Sequence, residues 1–300
     1  MIVLSLFFLI ILVIFPKEVS DAVSQSLFMC LKDVIPALFP FSVVSGVLLN
    51  LSGSFTLPVF SFIERLFNIS KKSVLAFFMG LLCGYPIGGK IALELYENGD
   101  ISEAEKDRLL IFANNSGPGF IIGVAGATLL KDVKAGIVIY ASHIVSAFIF
   151  GLATRKKSQK TIIIPVYKRE KENFLKILAK SIKNSFEAVL GITGVICFFS
   201  GFTASIRLFP IVQTLPFNEF FLGLFEMTEG INKISRMDLS LIVKATLSSF
   251  LIGFSGVSIF MQLKVLSDKI KTTAYFLNKL LFGMLCAFTT FIFFLSALCF

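Results

Sequence analysis

Six apolar stretches run without interruption at residues 1–15, 34–51, 133–153, 188–206, 241–263 and 275–300. Each is long enough, or nearly so, to cross a bilayer at about 20 residues per spanning helix. The rest of the composition leaves no soluble alternative. Hydrophobic residues make up 56% of the chain and charged residues 16%, too much apolar side chain for the interior of a 300-residue soluble fold and too little charge for its surface. The lipid bilayer is therefore the solvent, in a cell membrane and with several passes. The length leaves room for about seven to nine hydrophobic elements and no sizeable extramembrane domain. The net charge of +9 is then an orientation signal and not the mark of a nucleic-acid partner.

Cys30, Cys83, Cys197, Cys286 and Cys299 all lie in apolar segments without C-x-x-C spacing, so neither a disulfide frame nor a metal site is indicated, and no cofactor is expected. Residues 1–15 lack the basic start and the cleavage site of a secretory signal and read as a retained, short first helix.

Three further apolar stretches carry breakers at their centres. Residues 73–93 contain Gly84-Tyr85-Pro86-Ile87-Gly88-Gly89-Lys90, residues 109–130 contain Asn114-Asn115-Ser116-Gly117-Pro118-Gly119, and residues 217–234 contain Glu226-Met227-Thr228-Glu229-Gly230. A backbone group freed at membrane depth has no water to bond, and each one left unsatisfied costs several kcal/mol. Such backbone persists only inside protein or along a wet cavity. For residues 73–93 a kinked helix competes with a re-entrant hairpin tipped at Gly84-Tyr85-Pro86. The density of breakers favours the hairpin, because it leaves two arms of about ten residues, too short to span alone.

The basic loop 154–180, with Arg155, Lys156, Lys157, Lys160, Lys168, Arg169, Lys171 and Lys176, is expected on the cytoplasmic side. If 73–93 and 217–234 crossed fully, Arg65, Lys71 and Lys72 and also Lys264, Lys269, Lys271 and Lys279 would fall outside. Two re-entrant segments bring all of them inside. Three crossings then separate a unit starting near residue 26 from one starting near 181, which predicts an inverted repeat. Echoes occur in matching order: Ser45-Gly46 with Ser200-Gly201, Gly80-Leu81 with Gly223-Leu224, Lys90-Ile91 with Lys233-Ile234, and Ser116-Gly117 with Ser255-Gly256. The expected fold is an all-α polytopic membrane protein, an inverted repeat of helix units with re-entrant or broken helices, with about seven full spans plus two hairpin-like segments. Its divisions are an N-terminal helix and loop at 1–25, a first half at 26–153, the basic loop at 154–180 and a second half at 181–300.

An ionised group at the bilayer centre costs about 2.5–3.5 kcal/mol on an insertion scale, so Lys90, Glu94, Glu226, Glu229, Lys233 and Lys244 must face inward or sit near an interface. Lys90 and Glu94, spaced i, i+4, can pair locally. Glu226, Glu229 and Lys233 either converge on a protein-lined cavity suited to a cation, proton or zwitterion, or edge an interfacial loop. Ser102 and Glu105 form the start of a capped helix that enters the membrane and breaks at Asn114, with a new half-helix from about Pro118. The break can hold a neutral polar solute or an ion, or its asparagines can serve only to join helices. The candidate substrate-binding residues are Gly84, Tyr85, Pro86, Lys90, Asn114, Asn115, Ser116, Gly117, Glu226, Thr228, Glu229, Ser255 and Gly256. Gly253-Phe254-Ser255-Gly256 has the form found around a rhomboid nucleophile, with His143 the sole histidine, but here the histidine precedes the serine and small-residue packing explains the motif. No enzymatic activity is expected.

The run from Gly84 to Lys90, Glu103-Ala104-Glu105 with Arg108-Leu109-Leu110, Asn114 to Pro118 and Phe120-Ile121-Ile122-Gly123 resembles the YlbJ-type sporulation integral membrane proteins of endospore-forming bacteria. These are grouped with the nucleoside-recognition, or Gate, domain proteins. Gly223 to Gly230 and the region around Gly253–Gly256 resemble the family's second half, although 300 residues is short for it. The resemblance implies a sporulation membrane protein, with solute passage suggested by the wider group, and with a small solute or ion, a second copy of the chain or other sporulation membrane proteins as partners. It names no substrate. A non-transporting scaffold or assembly factor for spore formation is the alternative.

Overall fold

The computed structural model describes residues 2–51, 58–155, 173–214 and 218–298, and these are overwhelmingly helical. In chain order the helices are α1 (Ile2–Ile14), α2 (Pro16–Met29), α3 (Ile35–Leu51), α4 (Pro58–Phe67), α5 (Lys71–Cys83), α6 (Ile87–Glu97), α7 (Glu103–Phe112), α8 (Val133–Ala153), α9 (Phe174–Arg207), α10 (Pro210–Thr214), α11 (Asn218–Gly223), α12 (Met227–Arg236), α13 (Leu241–Phe254), α14 (Gly256–Leu266) and α15 (Thr272–Leu298). A π-helical turn, Cys30–Val34, joins α2 to α3, and a longer π-helical segment, Gly119–Leu130, follows α7.

Large apolar side chains on the outer faces stay exposed, among them Phe28, Phe62, Phe186 and Phe288, while Ser142, Ser146, Ser248 and Ser249 are buried. That inversion of the soluble pattern is what a lipid solvent selects, since small polar residues let helices approach and bond across the interface. Ser146 Oγ lies 2.8 Å from Thr289 Oγ1, and Thr290 Oγ1 donates to Ser249 Oγ at 2.8 Å. These contacts tie α15 to α8 and α13.

Four helices among the described residues are long and apolar enough to cross a membrane: Val133–Ala153, Phe174–Arg207, Leu241–Leu266 and Thr272–Ser296. A fifth is possible only if Phe60–Phe67 and Lys71–Cys83, bent by 99°, count as one span. The expectation of about seven full spans stands above this number. The difference lies in α1, with 13 residues, α3, with 17, and the interrupted 109–130 region. The divisions at 25/26 and 180/181 fall inside α2 and α9. The basic-loop residues Lys156, Lys157, Lys160, Lys168, Arg169 and Lys171 lie outside the described residues, as does Cys299.

The order of elements repeats. A hairpin (α5 and α6), a broken helix (α7 and Gly119–Leu130) and a long helix (α8) are followed later by a hairpin (α11 and α12), a broken helix (α13 and α14) and a long helix (α15). The second arm of each hairpin touches the far half of the other set's broken helix, α6 against α14 and α12 against Gly119–Leu130. Each hairpin is closed by a glycine pair. The Gly80 and Gly88 backbones meet in the first, and those of Gly223 and Gly230 in the second, with no room for a Cβ on either member.

One end of the bundle is held by polar contacts between loops. Lys72 Nζ reaches Asp100 at 2.6 Å, Ser267 Oγ donates to Glu97 Oε1 at 2.5 Å, Lys106 Nζ donates to the Lys269 carbonyl at 2.5 Å, and Lys271 pairs with Glu103 at 3.2 Å. The hydrogen bond to Glu103 raises the Lys271 pKa above its ordinary value. Beneath them an aromatic cluster fastens α4, α5, α7 and α8, with ring centroids at 5.2 Å for Phe67–Phe77, 5.3 Å for Phe67–Phe112 and 5.4 Å for Phe77–Phe148.

Ser102 caps α7 as expected, accepting from the Glu105 N–H. The Glu105 carboxylate does not return to Ser102 to complete a capping box. It accepts instead from Ser70 N and Ser73 Oγ, both at 2.6 Å, and so pins the start of α5 to α7. Glu105→Ala should therefore lower stability by about 2 kcal/mol, the scale of hydrogen bonds to a charged group. Glu105→Gln should recover part of that, and the apparent unfolding midpoint of the purified chain measures both.

Candidate functional site

The two breaks lie together, each under a hairpin tip. α5 ends at Cys83 because Gly84 turns out of the helix at φ +84°, a conformation that suits glycine, and Tyr85 and Pro86 complete the tip through a cis peptide bond. The tip presses on the first break. A Cβ on Gly80 or Gly88 would overlap the Ala113 carbonyl oxygen, and one on Gly84 would meet the Gly117 nitrogen. In the second set, Ser255 and Gly256 both take positive φ, 69° and 75°, and separate α13 from α14. The first N–H groups of α14 then need acceptors. Val257 N donates to Leu224 O and Ser258 N to Phe225 O, both at 2.9 Å, so the second tip docks on the second break.

Tyr85 connects the two sets. Its hydroxyl donates to the Ile252 carbonyl at 2.8 Å, one turn before Ser255. Ser255 Oγ lies 3.3 Å from the Tyr275 hydroxyl. Across from them, Asn114, Asn115 and Ser116 are buried. Asn115 Nδ2 donates to Phe112 O at 2.6 Å, and the Ser116 N–H donates to His143 Nε2 at 3.4 Å. Nδ1 of that ring faces Cys286 Sγ at 3.5 Å. Asn114 Nδ2, Asn114 Oδ1 and Asn115 Oδ1 lack a well-formed hydrogen bond, although the Tyr275 hydroxyl is a neighbour of the Asn114 carboxamide.

At the centre stands Lys279. It is fully buried in α15 and donates to Asn114 O at 2.8 Å and to Ile111 O at 3.2 Å. Its ammonium also lies over the rings of Tyr85 at 5.1 Å and Phe282 at 5.2 Å. Burying an ammonium costs several kcal/mol even after relaxation. The Ile111 carbonyl in the last turn of α7, near the negative end of its dipole, the Asn114 carbonyl just past that end, and two desolvated ring faces at up to about 2 kcal/mol each offset it.

The structure thus brings together Gly84, Tyr85, Pro86, Asn114, Asn115, Ser116, Gly117, Ser255 and Gly256. Other candidates lie elsewhere. Lys90 donates to Ser42 Oγ at 2.7 Å and pairs with Glu94 at 3.7 Å, facing α3. Glu226 caps α12 through the Glu229 N–H at 2.8 Å and lies against Thr228. Glu229 pairs with Arg207 at 2.8 Å and, more loosely, with Lys233 at 3.9 Å, while Arg207 also takes Glu219 at 3.1 Å. Of the two readings open for Glu226, Glu229 and Lys233, the structure gives a local cap and an ion-pair cluster organised by Arg207. Lys244 bonds the Ser235 carbonyl at the end of α12. Ser255 and His143 do not form a couple, since each has other partners.

Lys279 and Tyr275 are not among the residues that the sequence marks as a site. Counting Lys279 with Lys264, Lys269 and Lys271 as an orientation signal is corrected by the structure, which holds it inside the bundle. The available signal is its position, eight residues past Lys271 and within the apolar run of α15.

Fold and site together define a multi-pass integral membrane protein with two broken helices meeting inside a bundle. The chain is similar to the sporulation integral membrane protein YlbJ of Bacillus subtilis (strain 168), 28% identical over 318 aligned positions that take in 91% of this chain and 76% of the relative. No protein-family model matches the chain, and no solved structure matches it.

Proposed function

We propose that the chain is a transporter-like member of the YlbJ-type sporulation membrane proteins, with two inverted Gate-type halves, and that it binds or passes a small polar solute or ion at the paired breaks near the bilayer midplane. The observation that carries this reading is the first break, where two fully buried carboxamides leave three polar atoms without a well-formed bond beside a second broken helix. Buried polar groups of this kind are costly away from water. Discontinuous helices at corresponding places in two halves are the feature that accompanies a solute site in secondary transporters.

The inverted relation is supported by the ends that the loops share. Residues 68–72 join 97–103 and 267–271 through Lys72–Asp100, Ser267–Glu97 and Lys271–Glu103, whereas residues 237–240 precede a 26-residue helix whose far end is Leu266. Equivalent connections at opposite ends, one before each broken helix, are the arrangement that supports two inverted halves.

A membrane scaffold without flux is the second reading. A polar cavity of about 420 Å³ also opens between α3, α6, α9 and α14, lined by Lys90, Glu94, Asn184 and Ser185 among others, away from the paired breaks. The experiment is complementation of a YlbJ-deficient spore former with Asn114→Ala and Glu226→Gln, with protein level followed by immunoblot. Asn114→Ala removes the carboxamide without touching the backbone carbonyl that Lys279 uses. A drop in spore yield of ten-fold or more at unchanged protein level is expected for it. Full tolerance of both substitutions would transfer the reading to the scaffold, and uptake by proteoliposomes would then be absent.

A further inference from the structure

The end of α7 has the construction of a cation seat. The last carbonyls of a helix carry partial negative charge. In transporters with discontinuous helices, unwound carbonyls and half-helix C-termini are what coordinate a coupling ion. At this break the carbonyls of Ile111 and Asn114 point at one position, and the Tyr85 and Phe282 rings flank it. Lys279 Nζ fills that position. The residue is the eighth of α15, about 10 Å from the start of the helix at 1.5 Å per residue, and it is directed inward.

Its surroundings set it apart from the other buried lysines. Lys90 has Glu94 at 3.7 Å and Lys106 has Asp107 at 3.0 Å. Lys279 makes no ion pair among the described residues: its ammonium donates to carbonyl oxygens and lies over ring faces, with the Cys286 thiol and the His143 ring as further neighbours. That donor set suits a weakly hydrated monovalent cation. It does not suit a divalent one, which takes carboxylate oxygens.

We propose that Lys279 is a tethered cation: its ammonium occupies a monovalent-cation seat formed by Ile111 O, Asn114 O and the Tyr85 and Phe282 rings, so the first break carries its counter-charge within the chain. The inference stands on the geometry of α7 and α15. It deepens the reading of the break as an ion or solute site, and it survives if no solute is ever passed.

The test uses the full chain in detergent or nanodiscs, as wild type, Lys279→Ala and Lys279→Met. The apparent unfolding midpoint is titrated with K⁺, Rb⁺ or methylammonium chloride, with ionic strength held constant by N-methylglucamine chloride. The wild type should not respond specifically to any of the three. Lys279→Ala, with the seat vacated, should unfold roughly 5 °C or more lower and recover saturably with at least one small cation. Lys279→Met, which fills the space without charge, should stay low and unresponsive. If Lys279→Ala does not accumulate, purification in the presence of each cation replaces the titration, and monodisperse protein recovered only with the cation supports the seat. Failure of every cation to stabilise or recover Lys279→Ala, or a Lys279→Met midpoint equal to that of the wild type, would overturn the proposal. Proteoliposome uptake of a solute by the wild type is a separate measurement that neither result decides, so the two readings fail separately.

Discussion

Alanine at Gly80 or Gly88 is expected to prevent the chain from accumulating as a monodisperse protein, the largest effect anticipated for any single methyl group added to it. The cause is geometric. α5 and α6 leave the tip at Gly84–Pro86 as short arms, and they come back together across the Ala113 carbonyl, where a Cβ on either glycine would overlap the oxygen. The obstacle is backbone belonging to the break itself and cannot swing aside as a side-chain end does. Overpacking inside a core typically costs about 1–3 kcal/mol. Here the alternative to overlap is separation of the hairpin from the break, which would expose polar backbone at depth and raise the cost further. Against a total stability of order 5–15 kcal/mol, that is enough to remove the folded state. In the second hairpin Gly230 should behave likewise, since a Cβ there would meet the Gly223 Cα, whereas Gly223→Ala should cost less because its nearest obstacle is the movable end of Leu251. Gly119→Ala and Gly123→Ala are the controls, since a Cβ there meets nothing within 4 Å. Both should stay within about 1 kcal/mol of the wild type. Size-exclusion profiles of the solubilised variants measure the series, and a wild-type profile for Gly80→Ala would show that α5 and α6 do not close over the break.

That hairpin is also where the sequence is most legible. Four breakers in six residues, Gly84, Pro86, Gly88 and Gly89, cannot be absorbed by one spanning helix, and the observed tip falls at Gly84, Tyr85 and Pro86. The break after Asn114 and the restart near Pro118 are visible for the same reason, as is the end of α11 before Glu226. Less visible is the second break. Residues 241–263 are apolar apart from Lys244 and uncharged polar residues, and Ser255 and Gly256 are marked by their echo of Ser116-Gly117, while the left-handed backbone and the bonds to Leu224 and Phe225 that make the break are seen only in the structure. Long-range partners are hidden in the same way. Glu226 and Glu229 announce charge at depth, but Arg207, which takes Glu229, lies 22 residues away at the end of α9. Lys279 is hard to place because a basic residue near others of its kind reads as an interface marker, and only the facing carbonyls of α7 show otherwise. Charge alone carries the basic loop to residue 180, whereas α9 begins at Phe174, because Ile177 and Leu178 continue the helix between Lys176 and Lys180.

Replacing Arg108 with methionine should lower stability by about 2–5 kcal/mol, although the sequence marks this arginine only as part of the Arg108-Leu109-Leu110 resemblance and gives it no partner. Helices end with carbonyls that have no partner of their own. Where a helix stops in water this matters little, but α4 and α8 both end against the body of the bundle. Arg108 serves both: Nη2 donates to Phe67 O at 2.8 Å and to Gly151 O at 3.1 Å, with a longer bond from Nη1 to Asn68 O at 3.4 Å. One buried guanidinium thus fixes α7 to the ends of two helices directly above the Phe67, Phe77 and Phe112 cluster. Methionine keeps much of the apolar stem and its packing but leaves two carbonyls without donors, at about 1–3 kcal/mol each. Lysine should rescue only in part, because a single ammonium lacks the planar fork that reaches two helix ends at once. The ordering wild type, then Arg108→Lys, then Arg108→Met in apparent unfolding midpoint is the expected outcome. A methionine variant as stable as the wild type would mean that water reaches those two carbonyls, and that the bundle at this end is open where the structure has it closed.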